Sequence, residues 1–515
     1  MSTPPSPEAN PGKWLGRQSY LPETADWTVK PMSDRTYGSY LAGEMQDGAS
    51  RSTFAVFNPA SGQIVANVAT ATADDVRDAI DAAAAAAPQW ARTPAHERSR
   101  IIRAAAAIMT ARIDELARLL TEEQGKPLDQ AKGEITYGVE FLEWFAEEGR
   151  RVHGMTIPPT TNSKRIVVTK QPIGITAAIT PWNFPSAQLL RKLGAALAAG
   201  CTMVAKPAEA TPLSALEIAR CFEEAGLPRG VLSVLCAADP QEFADVVMND
   251  SRVRAISFTG STEVGKILMR SSADTMKRVS LELGGHAPLI VFDDADLEAA
   301  VAGTMASKFR NMGQVCVSVN RIFVHEAVAA DFTERLRRAM SDLPVGNGLA
   351  DGIKVGPLIG PEAIEKVERH VSDALDKGAK LLLGGSVATG DALHTKNYFE
   401  PTLLVDVDES MLVTREETFG PVAPILTFTD EGDVIERANR TPFGLTAYCF
   451  TRDLNRAIRM GEALDYGTVG INDASISAVQ APFGGIKESG LGREGGSMGI
   501  DEFLDVKYLS IGNLS

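Results

Sequence analysis

Short apolar runs alternate with segments of helical periodicity through the middle of this chain, and that alternation restricts the fold more than any other feature. Alternating strands and helices predict a parallel sheet with helices on both of its faces. The same rhythm starts again near residue 290, so we expect a second unit of the same kind and an α/β fold class. The runs interpreted as strands are ITAAIT, TMVAKP and AISFTG in the first series, and PLIVF and RIFVHEAV in the second.

The length of 515 residues allows two or three domains, and 44% hydrophobic with 23% charged residues is the balance of a globular protein. Residues 74–150 show helical periodicity in Ala-rich and charged stretches, and KRIVVTKQPIG is typical of an extended strand. The net charge of −15 argues against a partner such as nucleic acid or an anionic membrane, which requires concentrated positive charge.

The N-terminal segment is rich in proline and lacks the apolar stretch of a secretory signal peptide. We therefore expect residues 1–35 to form a flexible extension. The sequence contains no run of about eighteen apolar residues, so we expect no membrane-spanning helix. These features favour a cytoplasmic protein.

Five cysteines occur at wide spacings, which predicts neither a disulfide framework nor a zinc site. Six histidines are scattered without a ligand-like pair, so we expect no metal. Cys316 lies in the polar stretch NMGQVCVSVN, between helix-like and strand-like sequence. A buried core cysteine is the simpler interpretation of this residue, and a nucleophile is the alternative.

Several polar residues follow predicted strands directly, at the edge of the sheet where ligands of such folds bind. Lys206 and Glu209 could bond the hydroxyls of a ribose, although a solvated loop is the simpler interpretation of the residues alone. Gly260 and Ser261 open a helix whose free N–H groups could hold a pyrophosphate, or they form a plain strand-to-helix turn. Glu282, in LELGGHAP, could accept a proton from water, or could be an ordinary paired carboxylate.

The motifs acquire a common interpretation when their order along the chain is considered. Together they resemble the aldehyde dehydrogenase superfamily, over nearly the whole chain from about residue 35. The motifs that carry the resemblance are TPWNFP, VAKPAE, FTGSTEVG, LELGG, GQVC, ETFGPV and PFGGIKESGLGRE.

The resemblance implies a Rossmann-like parallel-sheet cofactor domain, an α/β catalytic domain and a small β arm for oligomerisation. It places a flexible extension at 1–35, an NAD(P)-binding domain at 36–149 and 173–284, a catalytic domain at 285–488, and the arm at 150–172 and 489–515. Members of the superfamily form dimers or tetramers through such an arm, so we expect a homodimer or homotetramer.

The resemblance also implies a covalent mechanism. An aldehyde has no good leaving group, and a thiolate makes its carbon tetrahedral before hydride leaves. By resemblance, Cys316 is that nucleophile, and Asn183 with the Cys316 backbone N–H holds the oxyanion. Glu282 activates the water that hydrolyses the thioester, while Lys192 and Glu494 match positions that assist proton transfer.

Cofactor contacts are carried over in the same way. A carboxylate at Glu209 would accept a bond from a 2′-hydroxyl but repel a 2′-phosphate, so we expect NAD to be preferred and NADP to be possible. The residues implied to contact the cofactor are Trp182, Lys206, Glu209, Gly260, Ser261, Glu417 and Phe419.

Within the superfamily, the sequence is most similar to the succinate-semialdehyde dehydrogenase branch. Arg191, Arg310 and Ser477 match residues that grip the substrate carboxylate there, although ordinary salt bridges would also explain the arginines. That branch often has a second cysteine two positions after the nucleophile, whereas this chain has Ser318, so a redox switch is not expected. His286 is a further departure, at a position that tolerates variation.

Three alternatives stay open. Glutarate semialdehyde differs from succinate semialdehyde by one methylene, which discriminates by only about 1–3 kcal/mol. A CoA-acylating relative would generally lack the carboxylate at Glu282, because hydrolysis would waste the acyl group. A non-catalytic relative would usually lose Cys316, Glu282 or Asn183, and all three are present.

Overall fold

The computed structural model describes residues 36–48 and 51–514, and the predicted flexible extension at 1–35 lies outside the described residues. The helices of this part of the chain include those that the sequence periodicity predicts, in the stretch at 74–150 and after the strands ITAAIT, TMVAKP and AISFTG. They are α1 (Ala73–Arg92), α2 (Ala95–Ala111), α3 (Ile113–Gln124), α4 (Leu128–Glu148), α5 (Pro185–Ala199), α6 (Leu213–Glu224), α7 (Pro240–Asn249), α8 (Thr262–Ser272), α9 (Leu297–Lys308), α10 (Glu326–Ser341), α11 (Pro361–Asp376), α12 (Glu431–Asn439), α13 (Leu454–Ala463) and α14 (Met498–Asp501).

The strands alternate with these helices, and several two-residue strands lie at the sheet edges. They are β1 (Thr36–Tyr37), β2 (Tyr40–Leu41), β3 (Glu44–Met45), β4 (Thr53–Phe57), β5 (Ile64–Ala69), β6 (Met155–Ile157), β7 (Arg165–Pro172), β8 (Ile175–Ile179), β9 (Thr202–Lys206), β10 (Leu232–Val234), β11 (Val253–Thr259), β12 (Arg278–Glu282), β13 (Ala287–Val291), β14 (Val319–His325), β15 (Lys380–Leu383), β16 (Thr402–Val405), β17 (Val422–Phe428), β18 (Phe443–Gly444), β19 (Thr446–Phe450), β20 (Thr468–Ile471), β21 (Ile486–Lys487), β22 (Gly490–Leu491) and β23 (Leu504–Ile511).

The first series of strands forms an eight-stranded sheet in the order β22-β12-β11-β8-β9-β10-β2-β3. Its five central strands, from β12 to β10, pair in parallel, and the short edge strands pair antiparallel. The four parallel strands β8, β9, β11 and β12 are apolar and largely buried, as expected for a sheet covered on both faces. The prediction of a parallel α/β sheet is therefore confirmed for this part of the chain.

The second series forms a seven-stranded sheet in the order β15-β16-β17-β14-β13-β19-β20. All its pairings are parallel except that of the edge strand β15 with β16. The prediction that RIFVHEAV continues as a strand is wrong at its end, because α10 begins at Glu326 with the His325 side chain as its N-cap. The α/β fold class is confirmed for both sheets.

A three-stranded antiparallel sheet, in the order β23-β7-β6, lies beside the two larger sheets. Strand β22 also falls in the predicted arm at 489–515, yet it pairs with β12 in the eight-stranded sheet. Ser515, the last residue of that predicted segment, lies outside the described residues. The domain limits themselves stay a prediction.

Helix α5 is buried along its whole length and packs against α4. Its small residues permit this close packing, Pro185 occupies its first turn, and Gly200 ends it in the left-handed conformation at φ 96°. A buried helix fixes its polar side chains firmly, and α5 carries four that are buried, namely Ser186, Gln188, Arg191 and Lys192. Throughout residues 36–48 and 51–514, no helix is long and apolar enough to cross a bilayer.

Candidate active site

The carboxyl ends of adjacent parallel strands bring several predicted site residues to one edge of the eight-stranded sheet. Lys206 is the last residue of β9, and Glu282 is the last residue of β12. Asn183 follows β8 after a short turn, and Gly260 follows β11. The backbone N–H of Gly260 donates to the Glu282 carbonyl oxygen at 3.1 Å, which joins the two strand ends.

Cys316 follows a strained turn between α9 and β14. Asn311 and Met312 both adopt left-handed backbone conformations, at φ 47° and 56°, which L-residues rarely adopt. The Asn311 side chain compensates by donating to the carbonyl oxygens of Asn183 and Gln314, and the Met312 side chain is fully buried. Gly313 is required next, because a Cβ there would lie 2.3 Å from the Gly420 carbonyl oxygen.

Two cavities open on either side of Cys316. The first has a volume of about 310 Å³ and the second about 400 Å³. Two residues, Cys316 and Gln188, line both cavities. A half-buried thiol at such a junction can contact one molecule from each side.

The structure divides the predicted site residues into three groups. The first cavity is lined by Arg191, Arg310, Ser477 and Cys316. The second is lined by Trp182, Asn183, Gly260, Ser261, Glu282, Cys316, Glu417 and Phe419. Four residues do not line either cavity, namely Lys192 and Glu494, which are buried, and Lys206 and Glu209.

The environment of Cys316 favours the neutral thiol. Removal from bulk water raises the pKa of the Cys316 thiol to about 12, the Glu417 carboxylate adds to the rise, and the Arg191 guanidinium opposes it. A thiolate therefore needs a base to receive its proton when the protein is ligand-free.

Glu282 has the properties of such a base. Both of its carboxylate oxygens are buried and make no hydrogen bond within the described part of the chain. Burial, reinforced by the nearby Glu494 charge, holds the pKa of the Glu282 carboxyl well above its usual range. A carboxyl with a raised pKa can exchange protons near neutral pH, whereas an ordinary glutamate remains ionised.

Glu494 lies behind Glu282 in a buried network. The Lys192 Nζ atom donates to Glu494 Oε1 at 2.5 Å and to Thr259 Oγ1 at 2.8 Å, and Arg191 donates to Glu494 Oε2 at 3.5 Å. Burial alone would raise the pKa of the Glu494 carboxyl, but the Lys192 and Arg191 cations hold that pKa below its usual value. The network therefore places an ionised carboxylate beside a protonatable one.

Asn183 is held in place by hydrogen bonds to both its backbone and its side chain. Lys126 Nζ and Asn311 Nδ2 donate to its carbonyl oxygen at 2.7 and 2.9 Å. Its side-chain amide donates to the Gln314 carbonyl oxygen at 2.9 Å. An amide nitrogen carries two protons, so one N–H remains to donate to an oxygen in the second cavity.

The two arginines of the first cavity differ in their surroundings. Arg191 donates to the Tyr137 hydroxyl at 2.7 Å, and its guanidinium packs among the rings of Tyr137, Phe141 and Phe483. Arg310 lies over the Phe184 ring at 5.5 Å. Within the described residues Arg310 makes no ion pair of 4 Å or less, so its charge is available to an anion in the cavity.

The second cavity fits a nicotinamide dinucleotide. Ser261 caps α8, an eleven-residue helix whose N-terminus faces the cavity where a pyrophosphate would be stabilised. Glu417 accepts a hydrogen bond from the Gly285 backbone at 3.2 Å, and the rings of Trp182 and Phe419 pack edge to face at 5.6 Å. The Glu282 carboxylate has no hydrogen-bond partner among the described residues, which indicates that a polar ligand group or water occupies the second cavity beside it. The residues that line the second cavity are therefore chemically suited to the nicotinamide dinucleotide that the family resemblance implies.

Lys206 and Glu209 form an ion pair at the end of β9, through Lys206 Nζ and Glu209 Oε1. Lys206 is 2% exposed and also donates to the Pro207 carbonyl oxygen at 3.1 Å. The charge of Glu209 is therefore partly balanced by an ammonium group, a pairing that the sequence did not reveal.

The structure adds residues that sequence reasoning missed. Gln188 and Tyr137 line the first cavity, and Lys366 of α11 lines the second. The position of Gln188 one helical turn before Arg191 was the available signal for that residue. The buried ion pair of Lys126 with Glu134, which supports Asn183, had no local signal because its partners come from different segments.

His286 is 1% exposed and lines neither cavity. Burial and the neighbouring Arg321 guanidinium hold the pKa of the His286 imidazole well below its usual value, so it is neutral. Ser318 is also buried, two positions after Cys316. The structure therefore places neither residue in contact with the occupants of the cavities.

The structure thus combines two mostly parallel α/β sheets with a thiol that lies between the first, cationic cavity and the second cavity. Residues 45–509 match the aldehyde dehydrogenase family profile. The chain belongs to the aldehyde dehydrogenase family.

Relatives with named activities cover almost the whole chain. The NADP(+)-specified succinate-semialdehyde dehydrogenase GabD of Escherichia coli is 53% identical over 92% of this chain and 97% of its own length. A glutarate-semialdehyde dehydrogenase of Pseudomonas putida is 52% identical, covering 92% of this chain and 97% of the relative. The crystal structure of a succinate-semialdehyde dehydrogenase from Burkholderia pseudomallei superimposes with a TM-score of 0.90, at 51% identity, covering 93% of this chain and 98% of that one.

The expected preference for NAD is wrong. It rested on repulsion between Glu209 and a 2′-phosphate, whereas the Escherichia coli relative is named for NADP(+). The structure supplies a physical reason, because the Glu209 carboxylate is paired with Lys206 and so cannot act as an isolated negative charge.

Proposed function

We propose that this protein oxidises succinate semialdehyde to succinate, with NADP⁺ as hydride acceptor, through a covalent thioester on Cys316. The observation that carries the proposal is the cationic cavity beside Cys316, in which Arg310 has a guanidinium without a carboxylate partner among the described residues. The names of relatives at 53% and 51% identity support the choice of substrate.

Recognition of the substrate begins at its carboxylate. A net charge of −15 repels an anion at long range, so the first cavity needs local cations. Arg310 offers planar, two-pronged donors, Arg191 contributes its positive field, and Ser477 can add a hydroxyl donor. With the carboxylate held there, the aldehyde carbon at the other end of the substrate reaches Cys316.

Addition to the aldehyde requires the thiolate of Cys316. Its proton passes through water to the Glu282 carboxylate, which lines the second cavity with both oxygens free. The sulfur then bonds to the aldehyde carbon, and the carbonyl electron pair moves onto oxygen. The second N–H of the Asn183 amide stabilises that oxyanion, an interaction worth roughly 2.7–4 kcal/mol in comparable sites.

NADP⁺, when bound in the second cavity, would accept the hydride that leaves the adduct carbon as the C=O bond re-forms, which converts the thiohemiacetal into the thioester. Glu417 is positioned to accept a hydrogen bond from the ribose next to the nicotinamide, and Trp182 and Phe419 provide apolar walls. Lys206 and Glu209, which lie outside the lining of the second cavity, would together meet the adenosine ribose, with Lys206 as a cation for a 2′-phosphate. Gly260 and Ser261 lie at the helix N-terminus proposed for the pyrophosphate.

Hydrolysis then releases the acid. Glu282 takes a proton from water, the water oxygen adds to the thioester carbon, and the Cys316 sulfur leaves as a thiolate. Lys192 and Glu494 offer a route for the proton away from Glu282, because they are hydrogen-bonded to each other and both lie near enough to influence the pKa of Glu282. The free Glu282 favours hydrolysis over acyl transfer to CoA.

Glutarate semialdehyde is a second candidate substrate. A relative of this activity is 52% identical, and a cavity of about 310 Å³ leaves room for one further methylene. The two substrates are separated by their specificity constants rather than by a qualitative test, because one methylene contributes only about 1–3 kcal/mol.

Assembly into a homodimer or homotetramer is also part of the proposal. Strand β23 leaves Val506 and Tyr508 70% and 59% exposed, and β6 exposes Met155 and Ile157, so the three-stranded sheet has an apolar surface for a second copy. We place the protein in the cytoplasm, a proposal supported by its five unpaired cysteines. Light scattering of the purified protein tests the assembly, and a dissolved monomer would contradict it.

A kinetic panel tests the proposed function. It measures kcat/KM for succinate semialdehyde, glutarate semialdehyde and butyraldehyde, each with NADP⁺ and with NAD⁺. We expect the highest value for succinate semialdehyde with NADP⁺, and unchanged product when CoA is added. Equal values for succinate semialdehyde and butyraldehyde would reject the carboxylate-binding cavity while leaving family membership intact.

A further inference from the structure

Gln188 has an unsatisfied amide in the interior of the site. The residue is 6% exposed, lies on the buried helix α5, and its side-chain oxygen has no hydrogen-bond partner in the described part of the chain. Buried polar groups nearly always have a partner, so an amide without one indicates a place for a ligand group or an ordered water.

The position of this amide connects it to the reacting atoms. Gln188 and Cys316 are the two residues shared by the linings of both cavities. Gln188 and Arg191 are one helical turn apart on α5, so both side chains leave the same face of the helix and reach the first cavity. The amide therefore lies toward the inner end of the cavity, where the aldehyde must approach Cys316.

Three other polar side chains of the first cavity already have partners. Gln130 accepts from the Asn311 backbone at 2.7 Å and donates to the Lys354 carbonyl oxygen at 3.2 Å. Glu134 is paired with Lys126, and the Tyr137 hydroxyl accepts from Arg191. These groups have roles within the protein, whereas the Gln188 amide retains its full capacity for a substrate.

We propose that Gln188 is a specificity residue for aldehydes that carry a hydroxyl group on the carbon next to the aldehyde, in addition to the distal carboxylate. The inference rests on the proposed function, because it assumes that the arginines hold the carboxylate. A hydroxyl both donates and accepts, so it pairs with the amide whichever end faces the cavity. The preferred substrate class is then an α-hydroxy semialdehyde, of which 3-hydroxy-4-oxobutanoate is the four-carbon member.

The test uses four aldehydes that vary the two groups independently. They are 3-hydroxy-4-oxobutanoate, succinate semialdehyde, 2-hydroxybutanal and butyraldehyde, with both enantiomers of each hydroxylated compound. For the wild-type enzyme we expect the hydroxyl to raise kcat/KM about tenfold for one enantiomer of the carboxylated pair, the effect of one good hydrogen bond. If neither enantiomer exceeds succinate semialdehyde, the specificity proposal is overturned without any variant.

The variant Gln188→Met keeps the length and volume of the side chain and removes the amide. We expect the hydroxyl preference to fall to within about twofold of unity, while succinate semialdehyde retains most of its kcat/KM. Gln130→Met, which alters a glutamine already bonded at both ends, should leave the ratio as in the wild type. Equal losses for hydroxylated and plain substrates in Gln188→Met would contradict the proposal and indicate a role in holding water instead.

The same panel separates the two levels of inference. If carboxylated aldehydes show no advantage over butyraldehyde and 2-hydroxybutanal, the proposed function fails. If the carboxylate advantage is present and the hydroxyl advantage is absent, only the role of Gln188 fails.

Discussion

The two cavities that meet at Cys316 are lined by different ionisable groups. The first contains the guanidinium groups of Arg191 and Arg310, and its one carboxylate, Glu134, is neutralised by Lys126. The second contains three carboxylates and one lysine, and burial raises the pKa of two of those carboxyls. Under the proposed function, fixed charge would select the substrate on one side, and protonatable carboxyls would serve proton transfer on the other.

The ionisable groups of the two cavities also differ in the effect that their surroundings have on their pKa values. Burial raises the pKa of the Glu417 carboxyl to about 7 and holds that of Glu282 well above its usual range, since neither carboxyl forms an ion pair of 4 Å or less among the described residues. In the first cavity the nearby Tyr137 and Glu494 groups raise the pKa of the Arg191 guanidinium against the effect of its burial. Variants on the two sides should therefore affect different kinetic constants.

The largest effect is expected at the junction itself. Replacing Cys316 by alanine removes the atom that bonds to the aldehyde carbon, so kcat should fall by about 10⁴-fold or more. Binding of NADP⁺, followed by protein fluorescence, should persist because the second cavity is otherwise intact. Cys449→Ala, a buried cysteine in β19, is the control and should retain activity. Turnover of Cys316→Ala within tenfold of the wild type would refute the nucleophile.

Glu282→Gln is expected to have the next largest effect, and only on the second half of the reaction. One equivalent of NADPH should form rapidly, and steady turnover should then be lower by about 10²–10⁴-fold, the usual contribution of a general base. Stopped-flow absorbance measures both phases. Glu488→Gln, an exposed carboxylate paired with Lys266, serves as the control. An unchanged steady rate would mean that another group activates the water.

Arg310→Ala tests the cationic side. Loss of a partner for a desolvated carboxylate costs about 2–5 kcal/mol, so the preference for succinate semialdehyde over butyraldehyde should fall by about 30-fold or more. The measured quantity is the ratio of the two specificity constants. Arg338→Ala, at a largely exposed arginine on α10, should leave this ratio unchanged. Equal losses for both aldehydes would show that Arg310 does not contact the carboxylate.

Lys206→Met should have the smallest effect, on cofactor choice alone. The variant removes the cation paired with Glu209 and exposes an unbalanced carboxylate to the 2′-phosphate. We expect kcat/KM for NADP⁺ to fall about tenfold relative to NAD⁺, the value of one charged hydrogen bond. Glu209→Gln leaves Lys206 in place and should not reduce NADP⁺ use. An equal fall in kcat/KM for NADP⁺ and NAD⁺ would show that Lys206 does not contact the 2′-phosphate.

The alternation of strands and helices was enough to predict the parallel α/β fold. Apolar runs mark strands that are buried on both faces, and helical periodicity marks helices with one buried face. Strand β8 and helix α5 occur where the apolar runs place them. The end of RIFVHEAV was wrongly predicted as strand. Its β-branched residues favour a strand, whereas the His325 side chain caps a helix that begins at Glu326. The antiparallel pairing of β22 with β12 depends on contacts between distant segments, which periodicity does not encode.

The candidate site was predictable as a set of residues but not as an electrostatic arrangement. The motif order places Asn183, Glu282 and Cys316 in one family pattern, and the structure brings all three to the second cavity. The sequence could not show that Lys206 pairs with Glu209, and the prediction of cofactor preference failed on that contact. The free amide of Gln188 likewise became visible only when its neighbours were known.

The proposed mechanism depends most directly on Cys316 receiving the substrate from the cationic cavity. Glu282→Gln protein, incubated with succinate semialdehyde and NADP⁺, should accumulate the thioester because hydrolysis is blocked. Rapid acid quenching and peptide mass spectrometry should then find one succinyl group on Cys316 and on no other cysteine. A succinyl group at another residue, or NADPH formation with Cys316 unmodified, would contradict the account.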